Sequence, residues 1–326
     1  MRRSCLAQLG VAALCLVACA ESLTTPARAQ PSDYPNRKIT FLVGFAPGGG
    51  IDTFARVIAQ ALGDRFGWQI VVENRAGAAS NIAAKLVAGA TPDGYTLLAT
   101  GNSYAINQTL YRTPGYATED IVPIAIVALD SQSLTINADN PARTLAEFLA
   151  AAREKPFTYG YGGSSARIAA EFAFRVLAKA NGTGVPYQSG APALSALLGH
   201  HVDIIAGPVA EVTPMIRQGA ARALAVTGPR RAQALPDVPT LEELGFTGIG
   251  INGFIALLAP AKTPPEITAK LNAAVNEVVA SPNVDQRLRA LGYEPQGGSF
   301  ADAGVFLKRQ IDTWGNLIRA TGIKIE

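Results

Sequence analysis

The sequence predicts an α/β fold of two similar units facing each other across a cleft, and three observations carry that prediction. Short β-type runs alternate with amphipathic helical patterns, the rhythm of strand, glycine loop and helix occurs twice, and two extended runs lie where the chain would pass between the units. Ligands bind at the strand-end loops of such sheets, so the cleft is the place to look for function.

The first 29 residues precede this fold. Arg2 and Arg3, followed by the apolar run Cys5 to Ala20, read as a secretory signal, and Ala27-Arg28-Ala29 before Gln30 has the small-x-small form of a signal peptidase site. The run falls short of the roughly 20 residues that a membrane-spanning helix needs. A competing reading is Leu16-Val17-Ala18-Cys19, which resembles a lipoprotein box with Cys19 as the acylated residue. All three cysteines (Cys5, Cys15 and Cys19) lie here, so the processed chain has no disulfide, thiol nucleophile or thiolate metal ligand. The segment also takes three arginines and one glutamate with it, which leaves the remainder near charge balance and argues against a nucleic-acid partner.

Ile39 to Val43 is the first strand. Gly44-Phe45-Ala46-Pro47-Gly48-Gly49-Gly50-Ile51-Asp52-Thr53 then places a glycine-rich turn at the start of a helix, whose apolar side carries Ile51, Phe54, Ala55, Ile58, Ala61 and Leu62. The first turn of a helix has unpaired N–H groups and the positive end of the peptide dipoles, and Gly48, Gly49 and Gly50 put no Cβ in a ligand's way. No Gly-Lys-Ser/Thr follows, so the loop is not a nucleotide P-loop, and a small carboxylate is the expected guest.

Gln69 to Glu73, a helix from about Asn81, and Tyr95 to Thr100 complete the first round in what reads as a parallel sheet. The second round is Phe157 to Tyr161, a glycine loop, a helix through Phe172 to Leu177, Gly184 to Gln188, Ala191 to Leu198, and Val202 to Ala206. Ile121 to Ile136 and Ala223 to Thr227 are extended and read as the joining strands. A strand at Phe254 to Leu258 and helices after Thr263 and Phe300 return to the first unit, and Pro229 to Gly245 is the longest loop-like stretch. The expected division is residues 1–29 as signal peptide, 30–128 with 227–326 as a discontinuous first domain, and 129–226 as the second.

Catalytic signatures fail on inspection. Gly101-Asn102-Ser103-Tyr104-Ala105 misses the nucleophile elbow at its last position, and Gly160-Tyr161-Gly162 has Ser165 where a dinucleotide fingerprint needs glycine. His200 and His201 are adjacent, so their side chains diverge and suit a solvated turn better than a metal site. No enzyme activity, cofactor or metal is expected.

The chain resembles the periplasmic solute receptors of tripartite tricarboxylate transporters, the Bug family. The resemblance rests on Pro47-Gly48-Gly49 with Asp52 and Arg56, Glu73-Asn74-Arg75, Pro92-Asp93-Gly94-Tyr95-Thr96-Leu97, Val185-Pro186-Tyr187, Ala191-Pro192-Ala193, Val202-Asp203, Arg222-Ala223-Leu224-Ala225-Val226-Thr227 and Leu235-Pro236-Asp237-Val238-Pro239-Thr240, in that order across nearly the whole processed chain. It implies a two-domain periplasmic-binding-protein fold of the Venus flytrap, type II-like form. Two crossover strands would join the domains, with one loop from each gripping a carboxylate.

By that resemblance the first ligand loop comprises Phe45, Pro47, Gly48, Gly49, Gly50, Asp52 and Thr53, although Asp52 equally suits an ordinary first-turn helix stabiliser. The second comprises Gly163, Ser164 and Ser165, in a loop about two residues shorter than the family's usual form. Asn102, Ser103 and Asp203 are counted with the site. Tyr161 suits stacking on an aromatic acid and local packing equally. Arg167 stands where relatives often have histidine, and is either a surface residue or a bidentate grip for a second acidic group. The implied partners are a small carboxylate (organic, aromatic or acidic amino acid) and membrane permease subunits, with docking onto a sensor kinase as the alternative, and the receptor is expected to be a monomer. Mass spectrometry of exported protein should find Gln30 as the N-terminus, whereas a diacylated Cys19 would replace that reading with the lipoprotein one.

Overall fold

The structure, a computed structural model, describes residues 34–247 and 252–322, and the expected signal segment with its cleavage site lies outside the described residues. In chain order the elements are β1 (Ile39–Val43), α1 (Gly50–Phe66), β2 (Ile70–Asn74), α2 (Asn81–Ala88), β3 (Thr96–Gly101), α3 (Asn102–Leu110), β4 (Ile121–Asp130) and β5 (Gln132–Asn137). There follow α4 (Leu145–Glu154), β6 (Phe157–Gly162), α5 (Ser164–Glu171, prolonged by a π-type segment Phe172–Leu177), β7 (Gly182–Tyr187), α6 (Gly190–Leu198), β8 (Ile204–Pro208), α7 (Val209–Arg217) and β9 (Ala221–Val226). The last are β10 (Gly253–Pro260), α8 (Pro265–Val279), α9 (Pro282–Ala290), β11 (Glu294–Pro295) and α10 (Phe300–Thr321).

Two mixed sheets result, in the order β2-β1-β3-β10-β4-β11 and β7-β6-β8-β5-β9. In the first, β1 lies between its parallel neighbours β2 and β3; in the second, β6 lies between its parallel neighbours β7 and β8. The repeated rhythm of the sequence is therefore a repeated βαβαβ unit. The wholly parallel sheet expected from the alternation holds only for that half of each sheet. β10 is antiparallel to β3 and β4, and β5 to β8 and β9, because these strands belong to the segments in which the chain changes sheets.

The extended run Ile121 to Ile136 breaks at Ser131 into β4 in one sheet and β5 in the other. At that break the outgoing and returning segments are tied together. Ser131 Oγ donates to Asn252 Oδ1 at 3.0 Å, Gln132 N to Thr227 Oγ1 at 3.1 Å, and Thr227 N to Gln132 O at 2.9 Å.

Burial follows the sequence pattern where the pattern is strong. α1 turns Phe54, Ile58 and Leu62 fully inward and stops at Gly67, whose left-handed backbone lets its N–H reach Gly63 O at 2.8 Å. α3 escaped the periodicity reading because Asn102, Ser103 and Asn107 are themselves buried, so it has no apolar stripe to read. α4, short α7 with Pro214 inside it, and α9 were missed as well.

Around β6 the core is aromatic. The Phe174 ring stands edge-on to Phe157 at 5.2 Å and tilted to Tyr159 at 5.3 Å, with 1% of the residue exposed. Phe174→Ala should therefore cost about 3–5 kcal/mol. The expected reading is a lowered urea midpoint at unchanged slope; a loss below about 1 kcal/mol would show that the site collapses around the gap.

Candidate functional site

Parallel strands send every following helix away from the same edge, so the carboxyl ends of β1, β3, β6, β7 and β8 deliver the starts of α1, α3, α5, α6 and α7 to one place. All five starts line a single cavity, through Gly49 and Gly50, Asn102 and Ser103, Gly163 and Ser164, Ser189 and Gly190, and Pro208 with Glu211. None of the five helices has a side-chain cap at its N-terminus. Away from the cavity wall α4 and α10 are capped by Thr144 and Ser299, whereas α2, α8 and α9 also lack a side-chain cap, so what sets the five apart is that their starts converge. The site thus gathers backbone N–H groups and positive dipole ends that no side chain of the same helix satisfies. The cavity measures about 80 Å³, roughly half of the ~150 Å³ that accommodates benzene, so it suits a short aliphatic skeleton better than an aromatic ring.

The first loop is held from beneath. Gly48 takes a positive φ of 81° and donates its N–H to Asp52 Oδ2 at 2.9 Å, across the first turn of α1. The same carboxylate accepts from Arg56 Nε and Nη2, both at 3.0 Å, and from Asn74 Nδ2 at 2.9 Å, and that amide also donates to Phe45 O at 3.0 Å. Burial pushes Asp52 up, but Arg56, the Gly48 N–H and Asn74 outweigh it and hold the group below the usual carboxylate range. With four donors on it, Asp52 fixes the loop and leaves the ligand to the backbone.

On the second side, Gly162 packs directly on the Ser189–Gly190 backbone, where a Cβ would come within 2.0 Å of Ser189 C, and so brings the α5 and α6 starts together. The floor is acidic. Glu211 Oε1 accepts from Gly50 N at 3.3 Å, reaching from the second sheet to the first, and it fits because Gly190 and Gly50 have no side chain. Asp130, at the end of β4, is raised well above the ordinary carboxylate value by burial and by neighbouring Glu211, against the N–H groups of Ser131 and Ala210. Glu211 is raised by burial against the Gly50 N–H. Tyr293 is raised by burial and by both acids, and its ring stands edge-on to Phe54 at 6.1 Å.

Of the residues expected from the sequence, Phe45, Gly49, Gly50, Asn102, Ser103, Gly163, Ser164 and Ser165 line the cavity together. Pro47 and Gly48 are exposed on the outer side of the first loop, and Thr53 lies a turn into α1, its N–H bonded to Gly49 O. Three further residues lie away from the cavity wall. Asp203 lies at the opposite edge of the second sheet, at the start of β8, where it accepts from Thr158 N and Oγ1 at 2.7 and 2.9 Å. Tyr161 is half-buried with its ring tilted against Tyr159 at 6.2 Å, outside the cavity wall. Arg167 lies on the part of α5 that turns towards Tyr161 and Tyr111, whose phenols its charge pulls down while burial pushes both up. It contributes no wall to this cavity, and its Nε is buried without a hydrogen-bond partner in the protein. Sequence reasoning missed Asp130, Gln132, Ser189, Glu211 and Tyr293, which come from separate segments and form no local motif.

Residues 54–323 match the family model described as tripartite tricarboxylate transporter family receptor. Protein BugT of Bordetella pertussis is 33% identical over 300 residues, spanning 90% of this chain and 92% of that protein. Among solved structures, an R. palustris protein with adipate superposes with a TM-score of 0.85 at 32% identity, covering 90% of this chain and 99% of that one. MatC from Rhodopseudomonas palustris with bound malate gives 0.80 at 29%, covering 87% and 100%.

The network under the first loop has a defined pH signature. A lowered folded-state value means that the contribution of Asp52 is complete above the ordinary carboxylate range and disappears as pH falls through the lowered value. Asp52→Asn should therefore be less stable by about 1–3 kcal/mol near neutrality. The gap should close in denaturant melts as pH falls through and below the ordinary carboxylate range, and a gap that persisted to low pH would deny the charge that role.

Proposed function

Because the chain belongs to the tripartite tricarboxylate transporter receptor family, whose members are periplasmic solute receptors and not enzymes, we propose that it binds a small carboxylate in the cavity between its two sheets and delivers it to the membrane permease subunits of such a transporter. The observation that carries this reading is the meeting of five uncapped helix N-termini at one cavity. A carboxylate offers acceptor lone pairs to several N–H donors at once and lies at the positive end of every dipole. The neighbours' adipate and malate are carboxylates too, which supports the same chemistry.

A thermal-shift screen across short mono-, di- and amino-carboxylates and aromatic acids tests the proposal. A ligand at a hundred times its Kd adds about 2.7 kcal/mol, a rise of several degrees. Gly49 has an ordinary backbone conformation, and a Cβ there meets only Ala46 O at 3.4 Å. Gly49→Val should accordingly keep the unliganded melting temperature and lose the ligand-induced rise, because a branched side chain covers the N–H groups at the start of α1. An undiminished rise in this variant would take the first loop out of the site.

A further inference from the structure

The acidic floor of the cavity is out of keeping with a site for dicarboxylates. Three acceptor atoms on its wall, Asp130 Oδ1, Glu211 Oε2 and Gln132 Oε1, are buried without a hydrogen-bond partner in the protein. Gln132 is 3% exposed and is one of the residues that line the cavity. Among the described residues no lysine, arginine or histidine lines the wall to balance Asp130 and Glu211. Hydrogen-bond donors are instead supplied by the five helix N-termini, and Glu211 already rests on one of them through Gly50. The hydroxyls of Ser103, Ser164, Ser165, Ser189 and Tyr293 add groups that can donate or accept, and among the described residues the charged side chains of the wall are the two acids alone. A second carboxylate on the guest would meet two buried carboxyl groups and no cation, whereas a primary ammonium brings three donors, no acceptor and a charge that favours the ionised form of both acids.

We infer that the preferred guest is a short-chain zwitterion, whose carboxylate meets the helix N-termini and whose primary ammonium meets Asp130, Glu211 and Gln132. This rests on the carboxylate reading above and narrows it. A hydroxyl group supplies one donor and no charge, so hydroxy acids rank below amino acids of the same skeleton. Glu211 and Asp130 become specificity-determining residues, and Gly50 and Gly190 are the small residues that let the Glu211 carboxylate reach the wall.

Calorimetric titration with matched probes tests the inference: propionate, β-alanine and succinate; butyrate, γ-aminobutyrate and glutarate; and L-alanine with lactate. At least one amino acid should bind about tenfold or more tightly than its unsubstituted partner, the lower end of what a charge-assisted hydrogen bond contributes, and the diacids should bind no better than the monoacids. Glu211→Gln keeps an oxygen for the Gly50 N–H and removes the charge; it should erase most of the amino-acid preference and improve diacid binding. Asp130→Asn is the second variant and should move the preference the same way. Diacids preferred by the unaltered protein, or an amino-acid preference untouched in both variants, would overturn the inference while leaving the carboxylate reading intact. Failure of every acid to bind would overturn both.

Discussion

Strand direction is the constraint on which the rest depends. Within β2-β1-β3 and β7-β6-β8 all strands point one way, so every crossover helix leaves from the same edge and its unpaired N–H groups are concentrated there. Such groups must be satisfied by caps, by water or by a guest. α4 and α10 solve the problem locally with Thr144 and Ser299; the five helices at the cavity do not. The gathering of N–H donors at the cleft is thus a property of topology and needs no charged side chain.

Against this uniform background the side chains divide the labour. Asp52, Arg56 and Asn74 spend their hydrogen bonds on the first loop, fixing the direction of the Gly49 and Gly50 N–H groups without touching what those groups bind. Asp130, Glu211 and Gln132 do the reverse. Each has a buried oxygen without a partner in the protein, and burial raises both acids by more than the N–H groups of Ser131, Ala210 and Gly50 lower them. The carboxylates of Asp52 and Glu211 consequently behave in opposite ways. Donors hold Asp52 low, and their scarcity leaves Glu211 high.

The fold was legible wherever glycine punctuated an apolar run. The β1 span Ile39 to Val43 agrees with the sequence reading at both ends, and α1 begins one residue before its expected start at Ile51, because Gly48 and Gly49 mark the turn by backbone geometry alone. α3 was hidden by its buried polar residues and α7 by its brevity and its proline. Within the site, what is local was readable: eight of the expected residues line the cavity, nearly all of them in the two glycine loops. The acidic floor was not, because Asp130, Glu211 and Tyr293 are brought together only by the crossing segments and the return of the chain after β9. Asp203 misled because a strand has two ends, and a resemblance fragment does not say which end faces the cleft. The parallel register of β6 and β8 puts this residue at the wrong one.

The place of β10 has a consequence for how the chain reaches this form. The strands of the second sheet, β5 to β9, are consecutive in the chain, so that sheet can close as soon as residue 226 is available. The first sheet cannot. β10 lies between β3 and β4, pairing Leu257 with Ala99 on one side and Ala125 on the other, and it arrives only after the whole second sheet has been made. Until then β3 and β4 have no common neighbour, and the apolar face of an unfinished sheet stays open to solvent. The late-synthesised C-terminal third is thus the piece that completes the first sheet, whose closure spans far more of the chain than that of the second and carries the larger loop-closure entropy.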